Sequence, residues 1–479
     1  NILFCSRDRF GIKPFYYYEE AKLFAFASEI KVLFILPQIE PILDEAKAIE
    51  FLVNSNMNFH GKTFFSEIAE LPQVHNMIYN LKTRKSSVHK FYQLQMSNSL
   101  DTISPVEATR QFSDLIESSI KLHLRSDVPV GACLSGGLDS GTILSRIVNA
   151  NLSYKVSTFT AAFPGSNVDE TKFIRALRER YDFSDFYTYP DLGKVLDEAD
   201  LFLWHQELPV QSTSMFAQWE VMKLAHQHSV KVLLDGQGMD EILGGYSEFT
   251  GSYLLGMLTN GRIFKFIRAY KDLKSNYKTS SILNELSRAS FYYLPECLRY
   301  KFYSSRRIGP AIISKYYNDI LREIKFPERI TNSIKETSIN SISNILPALL
   351  RYEDRSSMAF SVESRVPYLD HRLAEFCLNL PDELKINNGW TKYILRKSSE
   401  PYLPGEITWR KEKYGFVTPE RSWTEQLKEN VHEMVLEYNL PDIIDRKSLI
   451  NVITNSKNDN IKYGEIWKIV LFIRWYNLM

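Results

Sequence analysis

The sequence predicts an α/β fold organised on a doubly wound parallel sheet, with a mainly helical carboxyl-terminal half and a β-rich segment ahead of both. Three observations carry that expectation. Two short apolar runs, at 130–134 and 230–234, each break into a glycine turn and then into helical spacing, as buried strands of a parallel sheet do. Strand and helix patterns alternate from 156 to 234, which implies parallel order and a ligand at the carboxyl ends of the strands. Beyond residue 250 the apolar spacing is mainly helical to the end.

Taken in order, residues 1–36 alternate apolar and polar positions and carry aromatic clusters such as Phe15-Tyr16-Tyr17-Tyr18 and Phe24-Ala25-Phe26, which reads as strands and hairpins. A helix is expected at 44–53, with weaker strands at 76–81 and 90–94. The polar run 97–105 is the best linker. An amphipathic helix is expected at 106–124, followed by strand 130–134, strand 156–163, helix 168–181, strand 186–189, helices 192–203 and 215–226, strand 230–234 and a closing helix 465–478. The expected division is an incomplete β-rich domain at 1–96, a linker at 97–105 and a second domain at 106–479.

With 479 residues, the chain exceeds one ordinary core. A hydrophobic share of 44% and a charged share of 24% are those of a globular protein. Lys and Arg number 58 against 57 Asp and Glu, so no global field argues for nucleic acid or a membrane surface. No apolar run approaches the roughly 18 residues of a spanning helix, and the opening residues lack a signal-like core, so a cytoplasmic protein is expected. Cys5, Cys133, Cys297 and Cys377 form no Cys-x-x-Cys pair, which argues for core thiols rather than a zinc site or disulfide framework. The chain opens at Asn1 on a pattern that reads as the inside of a domain, so a fragment is expected.

The chemistry concentrates in the two glycine turns. In Leu134-Ser135-Gly136-Gly137-Leu138-Asp139-Ser140 the glycines allow positive φ and close approach of a ligand, and the amides opening the next helix attract an anion. Asp139 adds a carboxylate suited to Mg²⁺. It is not a Walker loop, because no Gly-Lys-Ser/Thr follows. In Asp235-Gly236-Gln237-Gly238-Met239-Asp240-Glu241, position 241 is Glu where a dinucleotide fingerprint needs Gly or Ala. Asp139 and Asp240 together could hold Mg²⁺, which prefers one or two carboxylates plus phosphate oxygens to an all-protein cage.

The string from Ser135 to Ser140 resembles the pyrophosphate loop of the ATP-pyrophosphatase superfamily. Arg7-Asp8-Arg9-Phe10-Gly11-Ile12-Lys13-Pro14, with Phe26-Ala27-Ser28-Glu29-Ile30-Lys31, resembles the end of the glutaminase (Ntn-hydrolase) domain of class II glutamine amidotransferases. Two further stretches, Arg351-Tyr352-Glu353-Asp354-Arg355 with Val362-Glu363-Ser364-Arg365-Val366-Pro367, and Lys411-Glu412-Lys413-Tyr414-Gly415-Phe416, complete a likeness to glutamine-dependent asparagine synthetases. That resemblance implies an adenine nucleotide alpha hydrolase-like fold, ATP and Mg²⁺, and amidation of aspartate through an acyl-adenylate, with ammonia free or drawn from glutamine. Carried over by motif, Ser135, Gly136, Gly137, Asp139 and Ser140 hold pyrophosphate; Leu134, Ala161, Asp235 and Gly236 line adenosine; Asp139 and Asp240 bind Mg²⁺; Lys413 stabilises charge in the transfer step. Glu363 belongs to the site or to a buried ion pair with Arg365, and the sequence leaves both open.

Two departures bear on function. Gln73 and Val74 replace the Pro and Gly of a family turn, which predicts altered local geometry. Gln237 stands where asparagine synthetases often carry Glu; an amide hydrogen-bonds but takes no proton as a base, which puts the acceptor acid in question. Cys5 lies inside a strand pattern and is expected to be a core thiol, not the glutaminase nucleophile. The rival readings are a paralogue that amidates a sugar acid or peptide, a β-lactam-forming relative, a non-catalytic nucleotide-binding module and a nucleic-acid-modifying ligase. Charge balance and the lack of a cysteine pair disfavour the last. The partners expected are small molecules, with no nucleic acid and no membrane; a homodimer is compatible with the family.

Overall fold

The computed structural model describes residues 1–150, 152–291, 293–295, 298–299, 307–324, 330–411, 417–455 and 463–479, with the backbone alone for 427–434, 454–455 and 463. The amino-terminal part holds β1 (Ile2–Ser6), β2 (Tyr16–Glu19), β3 (Phe24–Ala27), β4 (Ala69–Glu70), β5 (His75–Asn80) and β6 (Lys85–Lys90). They form two antiparallel three-stranded sheets, β1-β5-β6 and β3-β2-β4. The central sheet holds β7 (Val130–Cys133), β8 (Ser157–Ala161), β9 (Ser184–Thr188), β10 (Val232–Leu234) and β11 (Glu363–Arg365). Its order is β11-β10-β7-β8-β9, parallel throughout.

Side-chain alternation explains why this sheet is covered on both faces. Val130, Ala132, Val232 and Leu234 pack with Phe112, Ile116, Ile143 and Ile147 of the helices Pro105–His123 and Leu138–Val148. Phe159 and Leu233 face the other way, onto Val221, Met222 and Ala225 of the helix Ser214–Gln227. Residues one apart on a strand point to opposite faces, so two layers of helix bury one sheet. Gly131 keeps β7 close to its neighbours: a Cβ there would lie 2.8 Å from the Ser157 carbonyl.

The helix expected at 106–124 runs Pro105–His123, opened by the Ser104 side chain accepting from the Glu107 amide with Pro at the first turn. The helix expected at 44–53 runs Glu45–Asn54, capped by Asp44. The expected strand at 90–94 instead lies upstream as β6, because the register Met77↔Val88 pairs that polar ribbon with β5. β11 was not expected; three residues with two charges carry no strand signal, and only pairing with β10 creates it.

The amino-terminal motif is scaffold. Arg7 donates to the carbonyls of Lys13, Gly11 and Leu71, and Asp8 accepts from the Phe10, Ile12 and Lys13 amides. Cys5 is buried, which pushes its thiol up; Cys377 is buried as well, and Cys297 lies outside the described residues. Val74 takes φ +63°, a left-handed conformation that a β-branched residue rarely adopts. The closing helix Tyr463–Tyr476 packs back on the amino-terminal part, with Phe51 against Phe472 and Phe64 against Trp475. Among the described residues, no helix is long and apolar enough to cross a membrane.

Candidate active site

The two glycine turns leave adjacent parallel strands, β7 and β10, so they emerge side by side at the carboxyl edge of the sheet. In the first, Gly136 takes φ +78°, and Gly137 opens the Leu138–Val148 helix with no side-chain cap. Ser135 and Ser140 face each other across the turn, Oγ to Oγ 3.1 Å, and the Gly137 amide donates to Ser135 Oγ. Asp139 sits in the first helical turn, its carbonyl accepting from Tyr368 Oη at 2.8 Å. In the second, Gly238 takes φ +97° and a Cβ there would overlap Leu369. The short helix Met239–Leu243 then presents Asp240.

A cavity of ≈ 270 Å³ opens between the turns. Of the residues expected from sequence, Leu134, Ser135, Asp139, Ser140, Ala161, Asp235, Gly236, Gln237 and Asp240 line it. Gly136 and Gly137 shape the turn behind Ser135 and do not line it. Phe159, Met215 and Val221 add apolar wall, with Ser214, Gln218, Glu170 and Tyr352 around them. An apolar wall with a few converging polar groups suits a purine beside a phosphate chain.

The acidic groups divide by environment. Asp235 is enclosed, accepting from the Gly236 and Gln237 amides and from Gln218 and Cys133, and burial raises its carboxyl above the usual range. Glu353, from the helix Leu346–Met358, lies close behind it; burial first, then the Asp235 charge, pushes it well up. Ser364 Oγ donates to Glu353 Oε1, while Glu353 Oε2 is buried without a hydrogen bond. Glu241 is fully buried and accepts from Tyr246 Oη at 2.5 Å. Burial pushes its carboxyl up too.

Asp139 and Asp240 behave differently, because a lysine joins them. Lys392 Nζ lies 2.6 Å from Asp139 Oδ2 and 2.6 Å from Asp240 Oδ1, with the lysine side chain 4% exposed. Burial pulls its ammonium below the usual lysine value and the carboxylate of Asp139 opposes that. Gly245 makes room, since a Cβ there would overlap both Lys392 Cε and Asp240 Oδ1. Lys413, the lysine expected from sequence, lies outside the described residues. Lys392 and Glu353 were missed as site residues, Lys392 because no glycine motif flanks it and Glu353 because its nearness to Asp235 exists only in the folded chain.

Of the two places left open for Glu363, the structure shows the ion pair, half-exposed and not buried. Glu363 does not line the cavity; its carboxylate, 48% exposed, pairs with Arg365 at 2.8 Å. Arg365 donates onward to the carbonyls of His123 and Arg125. Strand alternation is the reason: Ser364 turns inward to Glu353, so Glu363 and Arg365 share the other face of β11.

Asp139 Oδ1 is buried with no hydrogen bond, which fits a cation ligand beside Asp240. Among the described residues no group of three or more His, Cys, Asp or Glu is placed to hold a metal, so a divalent ion here would need oxygens from its substrate.

Comparison with known proteins agrees with this architecture. A family model described as asparagine synthase matches residues 111–477, and a glutamine amidotransferase domain matches residues 1–92. Asparagine synthetase [glutamine-hydrolyzing] 1 of Bacillus subtilis (strain 168) is 26% identical over 497 aligned residues, covering 100% of this chain and 76% of that protein. Putative asparagine synthetase [glutamine-hydrolyzing] 2 of Methanocaldococcus jannaschii is 29% identical over 67% of this chain and 62% of its own length. Amidase chry2 of Gibberella zeae is 23% identical over 92% of this chain and 71% of its own. The chain belongs to the asparagine synthase family of carbon–nitrogen ligases, whose chemistry is ATP-dependent amidation, and carries glutamine amidotransferase sequence at its amino-terminal end.

Proposed function

We propose that the chain activates the side-chain carboxylate of L-aspartate as an acyl-adenylate and transfers ammonia to it, yielding L-asparagine, AMP and pyrophosphate. The observation that carries this reading is the convergence of Asp139 and Asp240, both lining the cavity, on Lys392 beside the Ser135–Ser140 turn. Ser135, Ser140 and the amides of Gly136 and Gly137 bind the pyrophosphate end. Leu134, Ala161, Asp235 and Gly236 enclose the adenosine.

The carboxylate of the acceptor attacks the α-phosphorus of ATP and pyrophosphate leaves. Charge grows on the phosphoryl oxygens in that transition state, so donors fixed in advance help most. Lys392, carried by the chain's own backbone to the phosphate end of the cavity, supplies a cation there; Lys413 is assigned the same task by its motif. Asp139 and Asp240 would hold Mg²⁺, which supplies further charge neutralisation on the phosphates. Ammonia then attacks the acyl carbon, the acyl C–O bond to the phosphate breaks, AMP departs, and the proton lost from the nitrogen passes to the departing phosphate or to water. Gln237 lines the cavity as a hydrogen-bonding amide and does not take up the released proton.

The division into residues 1–96, 97–105 and 106–479 is part of the same proposal, supported by the two separate family matches. A second reading, amidation of a sugar acid or a peptide carboxylate, is favoured by Gln237 alone. Pyrophosphate–ATP exchange with aspartate and a panel of other acids decides between them. Exchange with aspartate is expected; exchange with another acid and none with aspartate overturns the asparagine assignment.

A further inference from the structure

Lys392 is built into its position, not left to find it. Its backbone is left-handed, φ +51°, immediately before the helix Tyr393–Ser399. The preceding turn is closed by paired Asn387 and Trp390 hydrogen bonds, and Arg396 Nε donates to the Thr391 carbonyl at 2.8 Å. Gly245 leaves the space through which the side chain reaches the carboxylates. The ammonium thus occupies the bridging position between Asp139 and Asp240, where a cation shared by those carboxylates would also sit. Two positive groups in one buried bridging position repel strongly in a weakly screened interior.

Resting on the reading of Asp139 and Asp240 as metal ligands, we propose that Lys392 is a built-in counter-ion that excludes a divalent cation from this pair until nucleotide arrives. The acidic pair is neutralised without metal, so the two carboxylates stay close together. A free cation must displace the lysine and leave its ammonium buried without a partner, which is costly. A nucleotide removes that obstacle by offering phosphate oxygens to Lys392 as the carboxylates turn to the metal. The unpaired Asp139 Oδ1 is the oxygen ready for that exchange. Nucleotide and metal binding are consequently cooperative, each raising the affinity of the other by the same factor.

Mn²⁺ binding to the purified full chain, followed by electron paramagnetic resonance of the free ion without nucleotide, tests this. Wild type is expected to bind no Mn²⁺ that Asp139→Asn removes, and Lys392→Arg to behave like wild type. Lys392→Met is expected to bind one Mn²⁺ at least about 10-fold more tightly than wild type, and Asp139→Asn in that background to abolish it. Nucleotide-free wild type that binds an Asp139-dependent Mn²⁺ overturns the proposal even if the Met variant does not fold. A folded Lys392→Met protein with unchanged Mn²⁺ affinity overturns it too. Exchange activity with an unchanged Mn²⁺ pattern removes this inference alone; the expected Mn²⁺ pattern without exchange removes only the functional reading.

Discussion

The two glycine turns look alike in sequence and are used differently. Gly238 is packed: its φ is +97° and a Cβ would overlap Leu369. Gly137 has ordinary φ, −81°, and a Cβ there would meet nothing nearer than Ser135 Oγ at 3.3 Å. Gly136, at φ +78° with a Cβ position 3.1 Å from the Glu170 carbonyl, is packed as Gly238 is, so the difference lies between Gly137 and these two left-handed glycines. The same residue type serves packing at Gly136 and Gly238 and leaves space beside Ser135 at Gly137.

Substitutions can break that contrast. The largest effect is expected for Asp139→Asn, which removes one carboxylate at the shared site. Pyrophosphate exchange should fall roughly 10²- to 10³-fold with the melting transition retained, and an unchanged rate would exclude Asp139 from the machinery. Gly238→Ala should cost about 2–4 kcal/mol of stability through φ strain and overlap with Leu369, read by chemical denaturation. Gly137→Ala should cost under about 1 kcal/mol yet raise the KM for ATP about 10-fold by crowding the anion site. Equal stability losses at the two glycines would end the distinction.

Ser364→Ala sharpens the picture of the wall behind the second turn. It leaves Glu353 buried without its donor, and a loss of about 1–3 kcal/mol is expected. Val74→Gly should instead stabilise by about 0.5–1 kcal/mol by relieving left-handed strain, since Val74 stands at φ +63°. A destabilised glycine variant would show that the strain is smaller than the added freedom of the unfolded chain.

The seam between the amino-terminal part and the sheet shows how much the motifs conceal. Lys13 pairs with Asp354 at 2.9 Å, and buried Arg355 joins Asp354 at 2.6 Å and Glu207 at 3.2 Å. Glu207 in turn accepts from the Lys31 amide. Residues quoted as separate motifs in the sequence meet here as one ion-pair network. Tyr352, on the same helix as Asp354, lines the cavity, so that helix has the seam on one side and the cavity wall on the other.

The sheet and its two turns were legible because hydrophobic period and glycine chemistry are local. Strands 130–134 and 230–234 needed only a few neighbouring residues to declare themselves, and Asp139 and Asp240 followed from their place beside the turns. Lys392 could not be read that way. Its chemistry depends on meeting Asp139, 253 positions away, and Trp390-Thr391-Lys392 has no local pattern that distinguishes it from a surface lysine. Glu363 was left undecided between site and ion pair for the complementary reason: its motif is visible, but the face on which it points is set by strand pairing.

By itself, the sequence determined the α/β class, the phosphate-type turn and the family, since these rest on short-range spacing and on residue types whose backbone preferences are intrinsic. Tertiary structure alone decided which carboxylates share a cation, which carboxyl is buried behind Asp235 and which charged motif stays outside. Those outcomes follow from desolvation and from distances between segments far apart in the chain, and neither quantity exists until the sheet has brought its strand ends together.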